Sequence, residues 1–335
     1  RLTVGELADK FLEKKAADVT PRTLADYRRD IDNWIRPWFG HRAAESIDEA
    51  DVQKWVDHMR KKLEPKSVGD RHSLLSAMYR FGRARSRRLV DHNPCEETEL
   101  PKAVRKPPKG VTVPEFRALL DAAHRRRNPD AADLILFLGE TGWRFSEATA
   151  LDVRDVEDNG TDVWVTVSRV HRLNGSRYVI VEDAAKTDAA FRRIRLLPES
   201  AAMVRRRVVG KRPGDLVLTN SRGNPWNQHT FLDDTWPGIV KEAGLVARHP
   251  TPHWLRHFHV AVMAAAGSPM HEIQRRIGHE HYSTTVDVYG RMIGDSSDDV
   301  IGRAAALLSG QASAPSIAPV VAGQVVEQVA GELEA

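Results

Sequence analysis

The sequence predicts a mainly α protein with a small antiparallel β-sheet, arranged as an all-α N-terminal domain followed by an α+β domain. Apolar residues recur at helical spacing from Val4 to Asn93, with no strand pattern among them. A basic, proline-rich stretch from Leu100 to Gly110 then breaks the periodicity, and beyond it alternation replaces helical spacing only between Asp162 and Leu197. A chain of 335 residues also exceeds the usual size of one domain, so two cores are expected.

Taken in order, Leu7, Phe11 and Leu12 mark a first helix, Leu24, Tyr27, Ile31 and Trp34 a second, and Val52, Trp55, Val56 and Met59 a third, within an expected four or five. Thr20-Pro21 reads as an N-cap with proline at the first helical position, and Pro37 with Gly40 is expected to close that helix. Ser46 with Glu49 reads as the capping box of the next. This first domain is assigned to residues 1–99. In the linker, residues 100–110, the prolines forbid a helix while Lys102, Arg105, Lys106 and Lys109 suit a phosphate backbone.

The second domain, residues 111–309, opens with an amphipathic helix at Val113-Pro114-Glu115, followed by a buried helix from Ala131 to Glu140 that runs into Thr141-Gly142. Asp162 to Val170 and Tyr178 to Glu182 read as strands flanking Asn174-Gly175, and Phe191 to Leu197 supplies a third strand of the same sheet. Helical periodicity returns from Ser200 to about Leu308. In the tail, residues 310–335, Val326, Val329 and Leu333 would line one face of a short helix exchanged with a neighbouring subunit, and the composition fits a disordered segment equally well.

Net charge is +4 with a pI near 9.2, too mild an excess to identify a partner. Its distribution says more: Lys66 to Lys109 holds eleven basic side chains against five acidic ones, which is where a polyanion would sit. The single cysteine, Cys95, excludes an intramolecular disulfide framework and fits a reducing compartment, with the cytoplasm as default. The longest apolar run, Val260 to Ala266, is far too short to span a bilayer, and the N-terminus lacks a signal-peptide pattern, so no membrane partner is expected. The sequence opens on Arg1 rather than methionine, which leaves room for a further N-terminal module.

Four clusters carry the chemistry. They are Thr141-Gly-Trp-Arg-Phe-Ser-Glu147; Lys186-Thr187 followed by Arg192, Ile194 and Leu196; His253-Trp-Leu-Arg256-His257; and Ile277-Gly-His279 followed by Thr284-Thr285 and Tyr289-Gly290. Each alone has an ordinary explanation. Thr-Gly commonly ends a helix, hairpin lysines are usually solvated, His253, His257 and His259 would serve as surface or satisfied core histidines, and a helical tyrosine is usually core. In this order and spacing, however, they resemble the signature boxes of the tyrosine recombinases of the phage integrase type, with Trp143 where the family's box has leucine. The resemblance covers nearly the whole chain, including an N-terminal region like the family's core DNA-binding domain.

The resemblance implies that Tyr289 attacks a scissile phosphate to form a 3′-phosphotyrosyl bond and release a 5′-hydroxyl. Tyr282, one heptad earlier, is the rival nucleophile; Thr284-Thr285 and Gly290 favour Tyr289. Phosphoryl transfer without metal needs fixed cations around the non-bridging oxygens, and Arg144 with Arg256 are the expected clamp. His253 is the candidate base, Lys186 the candidate general acid and His279 a phosphate hydrogen-bonder. Glu147, placed on the same helical face as Arg144, and His257 are expected in support. No paired-carboxylate or Cys/His metal spacing adjoins these boxes, so neither cofactor nor metal is implied.

Arg22, Arg28, Arg29, Lys66, Arg71, Arg80, Arg83, Arg87 and Arg88 form either a solvated face or a set of phosphate contacts, and Arg192 is a further expected DNA contact. With the linker they suggest two domains closing round a duplex. By resemblance the partners are double-stranded DNA recombination sites, a homotetramer working through a Holliday junction, and host DNA-bending or directionality factors. Phage-type integration is the preferred role, ahead of chromosome-dimer resolution or transposition by the same chemistry. A nicking and resealing topoisomerase and a DNA-binding protein without catalysis are the remaining alternatives.

Overall fold

The computed structural model describes residues 1–84, 86–102, 110–174, 177–182 and 191–278. Helix α1 (Val4–Ala16) starts at Thr3, whose hydroxyl caps the Glu6 amide while the Glu6 side chain returns the contact. Helix α2 (Pro21–Asp30) begins at the expected Thr20 cap with Pro21 in its first turn.

Pro37 does not end this helix. The chain widens into a π-turn at Ile31–Ile35 and continues as α3 (Arg36–Phe39). A proline within a helix has no N–H to give and its ring clashes with the carbonyl four residues back, here that of Asn33. The wider turn, in which the Arg36 amide bonds to the Ile31 carbonyl, makes room for it. The cap of α4 (Glu49–Arg60) also differs from expectation. Ser46 lies in a 3-10 turn and donates its hydroxyl to the Ala43 carbonyl at 2.8 Å, leaving Asp48 to cap the Asp51 amide.

Helix α5 (Pro65–Arg83) completes the N-terminal set. Leu7, Phe11, Ile31, Ile35, Phe39, Trp55, Met59, Leu75 and Met78 are buried in one cluster. The polar ends of its aromatics are satisfied: Trp55 Nε1 donates to the Trp34 carbonyl at 2.9 Å and Tyr79 Oη to the Ala44 carbonyl at 3.1 Å. Cys95 lies in this core, where burial pushes its thiol up to about 12.

The second cluster of buried apolar residues runs from Val111 to Phe258. Helix α6 (Val113–Arg125) has a Thr112–Glu115 capping box, and α7 (Pro129–Thr141) is buried as its apolar run predicts. It stops at Gly142, whose φ of 67° favours glycine. The short α8 (Phe145–Ala148) follows. The strands are β1 (Val156–Asp158), β2 (Val163–Val167), β3 (Arg169–Asn174), β4 (Arg177–Glu182) and β5 (Arg192–Arg195).

These form two antiparallel sheets rather than one, a three-stranded β1-β2-β5 and a β3-β4 hairpin. The expected strand Asp162 to Val170 is interrupted at Ser168, whose hydroxyl donates to Asp155 at 2.7 Å beside an Arg169–Asp155 ion pair. The third strand therefore pairs with β2, Val165 opposite Ile194 and Val167 opposite Arg192. Helices α9 (Pro198–Val208), α10 (Gln228–Thr230), α11 (Trp236–Glu242), α12 (His253–Ala265) and α13 (Met270–Ile277) complete the described chain. A second π-turn, Phe231–Thr235, precedes Pro237 as the first precedes Pro37. Among the described residues no helix is long and apolar enough to cross a membrane.

Candidate active site

The site is built on the turn between α7 and α8. The Thr141 hydroxyl donates to the Phe137 carbonyl at 2.6 Å and accepts from the Trp143 amide at 3.2 Å, so the chain reverses at Gly142. A Cβ on Gly142 would lie 2.8 Å from His259 Cδ2 and 3.0 Å from Ile277 Cγ2, so the turn is packed directly on α12 and α13. Arg144 then falls at the N-cap of α8 and Glu147 at its third position. Their contact is accordingly a capping box rather than two residues along one helical face: the Arg144 amide and Nη1 each donate to the Glu147 carboxylate at 2.8 Å.

Glu147 is 3% exposed and also receives Arg192, whose Nη2 donates at 2.6 Å. Burial would raise the Glu147 carboxyl, but Arg192 and then Arg144 overcome it and hold the group at about 2. Because the folded value lies below the ordinary one of 4.5, the stability Glu147 contributes is present above that pH and is lost as pH falls toward 2. The difference in unfolding free energy between wild type and Glu147→Gln should therefore shrink by about 3 kcal/mol between roughly pH 5 and pH 2. Denaturant melts across that range check this; an unchanged gap down to pH 3 counts against the pairing.

Arg256, in the first turn of α12, is 2% exposed and donates Nη1 to the Gly142 carbonyl at 2.7 Å. Its Nη2 has no hydrogen-bond partner among the described residues. Burial, reinforced by neighbouring Arg144, pulls the guanidinium down to about 9, so it is still charged at neutral pH. An interior cation with a free donor is costly unless an anion meets it.

His253 keeps an exposed edge, yet lost hydration and then Arg256 and Arg144 hold it below its ordinary value. Its ring meets that of His257 edge-on at 5.0 Å, and His257 falls to about 4 through burial, His253 and Arg256. A neutral His253 is able to accept a proton. Arg144, Trp143, Phe145, Ser146, Thr251 and His253 share a pocket of about 370 Å³ that Gln228, Leu232 and Pro252 complete. His259 is a core residue: 1% exposed, pushed down to about 3 by burial and Arg276, with Nε2 accepting from Arg276 Nε at 3.4 Å.

The structure thus brings Arg144, Glu147, His253, Arg256 and His257 together around one turn and one helix start. Lys186, His279 and Tyr289, with the rival Tyr282, lie outside the described residues. Arg192, expected on DNA, is instead 4% exposed and engaged with Glu147 and the Arg276 carbonyl. Its parity with Ile194 and Leu196, both buried, is the sequence signal that it points inward.

Of the other expected DNA contacts, Arg22, Arg28, Lys66, Arg80, Arg88 and Lys102 are exposed. Exposed Arg83 pairs with Glu96 at 2.7 Å, Arg29 pairs with Asp26, and Arg87 stacks on Phe81 at 4.3 Å. Arg71 is partly buried, donating to the Ser67 carbonyl at 2.8 Å beside Asp30 and the Trp34 ring. Arg105, Lys106 and Lys109 lie outside the described residues. Among the described residues no group of three or more His, Cys, Asp or Glu is placed to hold a metal ion.

A model of the Phage integrase family matches residues 110–292, and one of the phage integrase N-terminal SAM-like domain matches residues 3–60. Tyrosine recombinase XerC of Chromohalobacter salexigens is 28% identical over 304 residues, covering 85% of this chain and 90% of its own. XerC of Bacillus subtilis is 25% identical, covering 82% and 86%. Among solved structures, the Tn1549 transposon integrase in complex with a circular intermediate DNA superposes with a TM-score of 0.76 at 21% identity, covering 91% of this chain and 100% of that one. A lambda integrase tetramer bound to a Holliday junction gives 0.64 at 17%, covering 84% and 79%.

Proposed function

Because the chain belongs to the phage integrase family, and so is a tyrosine recombinase that transfers DNA strands, we propose that Arg144 and Arg256 clamp the scissile phosphate in its active site. The observation that carries this is the buried Arg256 guanidinium, whose Nη2 lacks a partner among the described residues while Arg144 stands partly exposed beside the pocket. A phosphate oxygen supplies what that donor needs, and two cations fixed before reaction stabilise charge that grows on the phosphorane.

In this scheme the Tyr289 phenol oxygen attacks phosphorus, His253 takes the phenol proton, and the bond from phosphorus to the 5′-oxygen breaks. Lys186 protonates the leaving oxygen and His279 hydrogen-bonds the phosphate. The phosphotyrosine conserves the energy of the phosphodiester, so a 5′-hydroxyl from a second duplex reseals the strand without ATP. Residues 1–99 and 111–309 act as two domains closing on the duplex, with the basic linker along its backbone and exposed Arg22, Arg28, Lys66 and Arg80 toward phosphates. The protein works as a tetramer on paired sites through a Holliday junction, in the cytoplasm where those sites lie, with host bending or directionality factors as partners.

Phage-type integration is the preferred role. Chromosome-dimer resolution is the second reading, favoured by the match to XerC and XerD over most of this chain. The deciding experiment supplies the full chain with plasmids carrying the sequence it protects from nuclease, without ATP and with EDTA. Recombinant products and a denaturant-resistant protein–DNA adduct are expected; binding without either leaves an architectural DNA-binding protein. Exchange between two copies of one site supports resolution, and exchange only between unlike sites supports integration.

A further inference from the structure

Arg192 touches more of the site's framework than a surface cation does. Its Nη2 and Nη1 approach the two Glu147 oxygens at 2.6 and 3.4 Å, and its Nε donates to the Arg276 carbonyl at 2.8 Å. The face of the guanidinium lies 5.5 Å from the Trp143 ring centre. These contacts span 45 residues in one direction and 84 in the other, so no local helix or turn geometry produces them. They depend on the register of β5, which puts Arg192 opposite Val167 on the sheet face where Val165 and Ile194 are buried.

The segment it grips carries both clamp arginines. Gly142 supplies the carbonyl that holds Arg256, Trp143 supplies the ring under Arg192, and Glu147 holds Arg144 by its amide and its guanidinium. The Arg276 carbonyl belongs to the last turn of α13. At 4% exposure and with its fork on Glu147, Arg192 is buried in the framework of the site.

Resting on the strand-transfer reading above, we propose that Arg192 is a positioning residue: through Glu147 it sets Arg144, and through the Arg276 carbonyl it ties the end of α13 to the same carboxylate. Arginine suits this because one rigid plane presents donors in two directions and a face to an aromatic ring. Lysine keeps the charge opposite Glu147, but its compact ammonium does not reproduce that planar fork.

The test compares the full wild-type chain with Arg192→Lys and Arg192→Gln on a nicked suicide duplex carrying the sequence the wild type protects from nuclease. Equilibrium affinity and single-turnover adduct formation are measured separately. Arg192→Lys should bind within about twofold of wild type and form adduct about 10- to 100-fold more slowly, the scale of effect found for outer-shell partners that orient metal ligands. Arg192→Gln should be slower still. In a Glu147→Gln background, Arg192→Lys should cost less than it does alone, because its path to Arg144 through Glu147 is already broken. An Arg192→Lys rate equal to wild type, a rate that falls only in step with affinity, or fully additive losses would overturn the role. No adduct from the wild-type chain would overturn strand transfer itself, and this role with it.

Discussion

Tyr289→Phe should abolish the covalent protein–DNA adduct on a nicked suicide duplex while leaving the affinity for that duplex unchanged. The substitution removes one oxygen and keeps the ring, so whatever packing the side chain makes is retained while the only atom able to bond to phosphorus is gone. Other site residues lower a barrier; this one supplies a bond, and its effect should be the largest of any single change. Tyr282→Phe should form adduct at the wild-type rate. An adduct from Tyr289→Phe, or its loss in Tyr282→Phe, would place the nucleophile elsewhere.

Arg256→Gln should slow adduct formation about 100- to 1,000-fold, the usual effect of removing one preorganised donor from a site where charge develops. Its effect on folding should be small. Arg256 sits 2% exposed with Arg144 and Arg192 near enough to disfavour its charge. Removing it relieves the burial of a charge and that repulsion while costing the attraction to Glu147 and the bond to the Gly142 carbonyl, changes of opposite sign. The unfolding free energy of Arg256→Gln should therefore stay within about 1 kcal/mol of wild type. A rate loss accompanied by a drop of several kcal/mol in denaturant melts would mark Arg256 as a structural residue.

Much of this architecture is legible in the sequence because the cues are local. Thr20-Pro21, Thr141-Gly142 and the buried run of α7 each state a start, a stop or a face within a few residues. Expectation and structure part where two local cues compete. Ser46 and Asp48 are both good caps, and Ser46 is already committed to the Ala43 carbonyl. Pro37 is a proper helix stop unless the preceding turn widens, and hydrophobic spacing does not report a π-turn. The continuous apolar alternation through Ser168 hides a break that depends on Asp155, thirteen residues away.

For the site, the boxes that resemble the family supply the residues but not their connections. Arg144, His253 and Arg256 were readable as a group. That Glu147 is a buried carboxylate shared by two arginines was not, because its second partner arrives from β5. The charge of Arg192 suggests a DNA contact, whereas its alternation with buried Ile194 and Leu196 points to the core, and the structure follows the alternation.

The Arg144, Arg192 and Arg256 guanidiniums all bear on a single carboxylate, Glu147. The surplus positive charge makes this part of the fold frustrated, and its most comfortable state is one that includes an anion. If Arg144 and Arg256 clamp phosphate as proposed, folding and phosphate capture are thermodynamically linked: what a bound phosphate gains from these two arginines also stabilises the fold that holds them. On the proposed clamp, DNA would help to hold this part of the fold together as well as being acted upon.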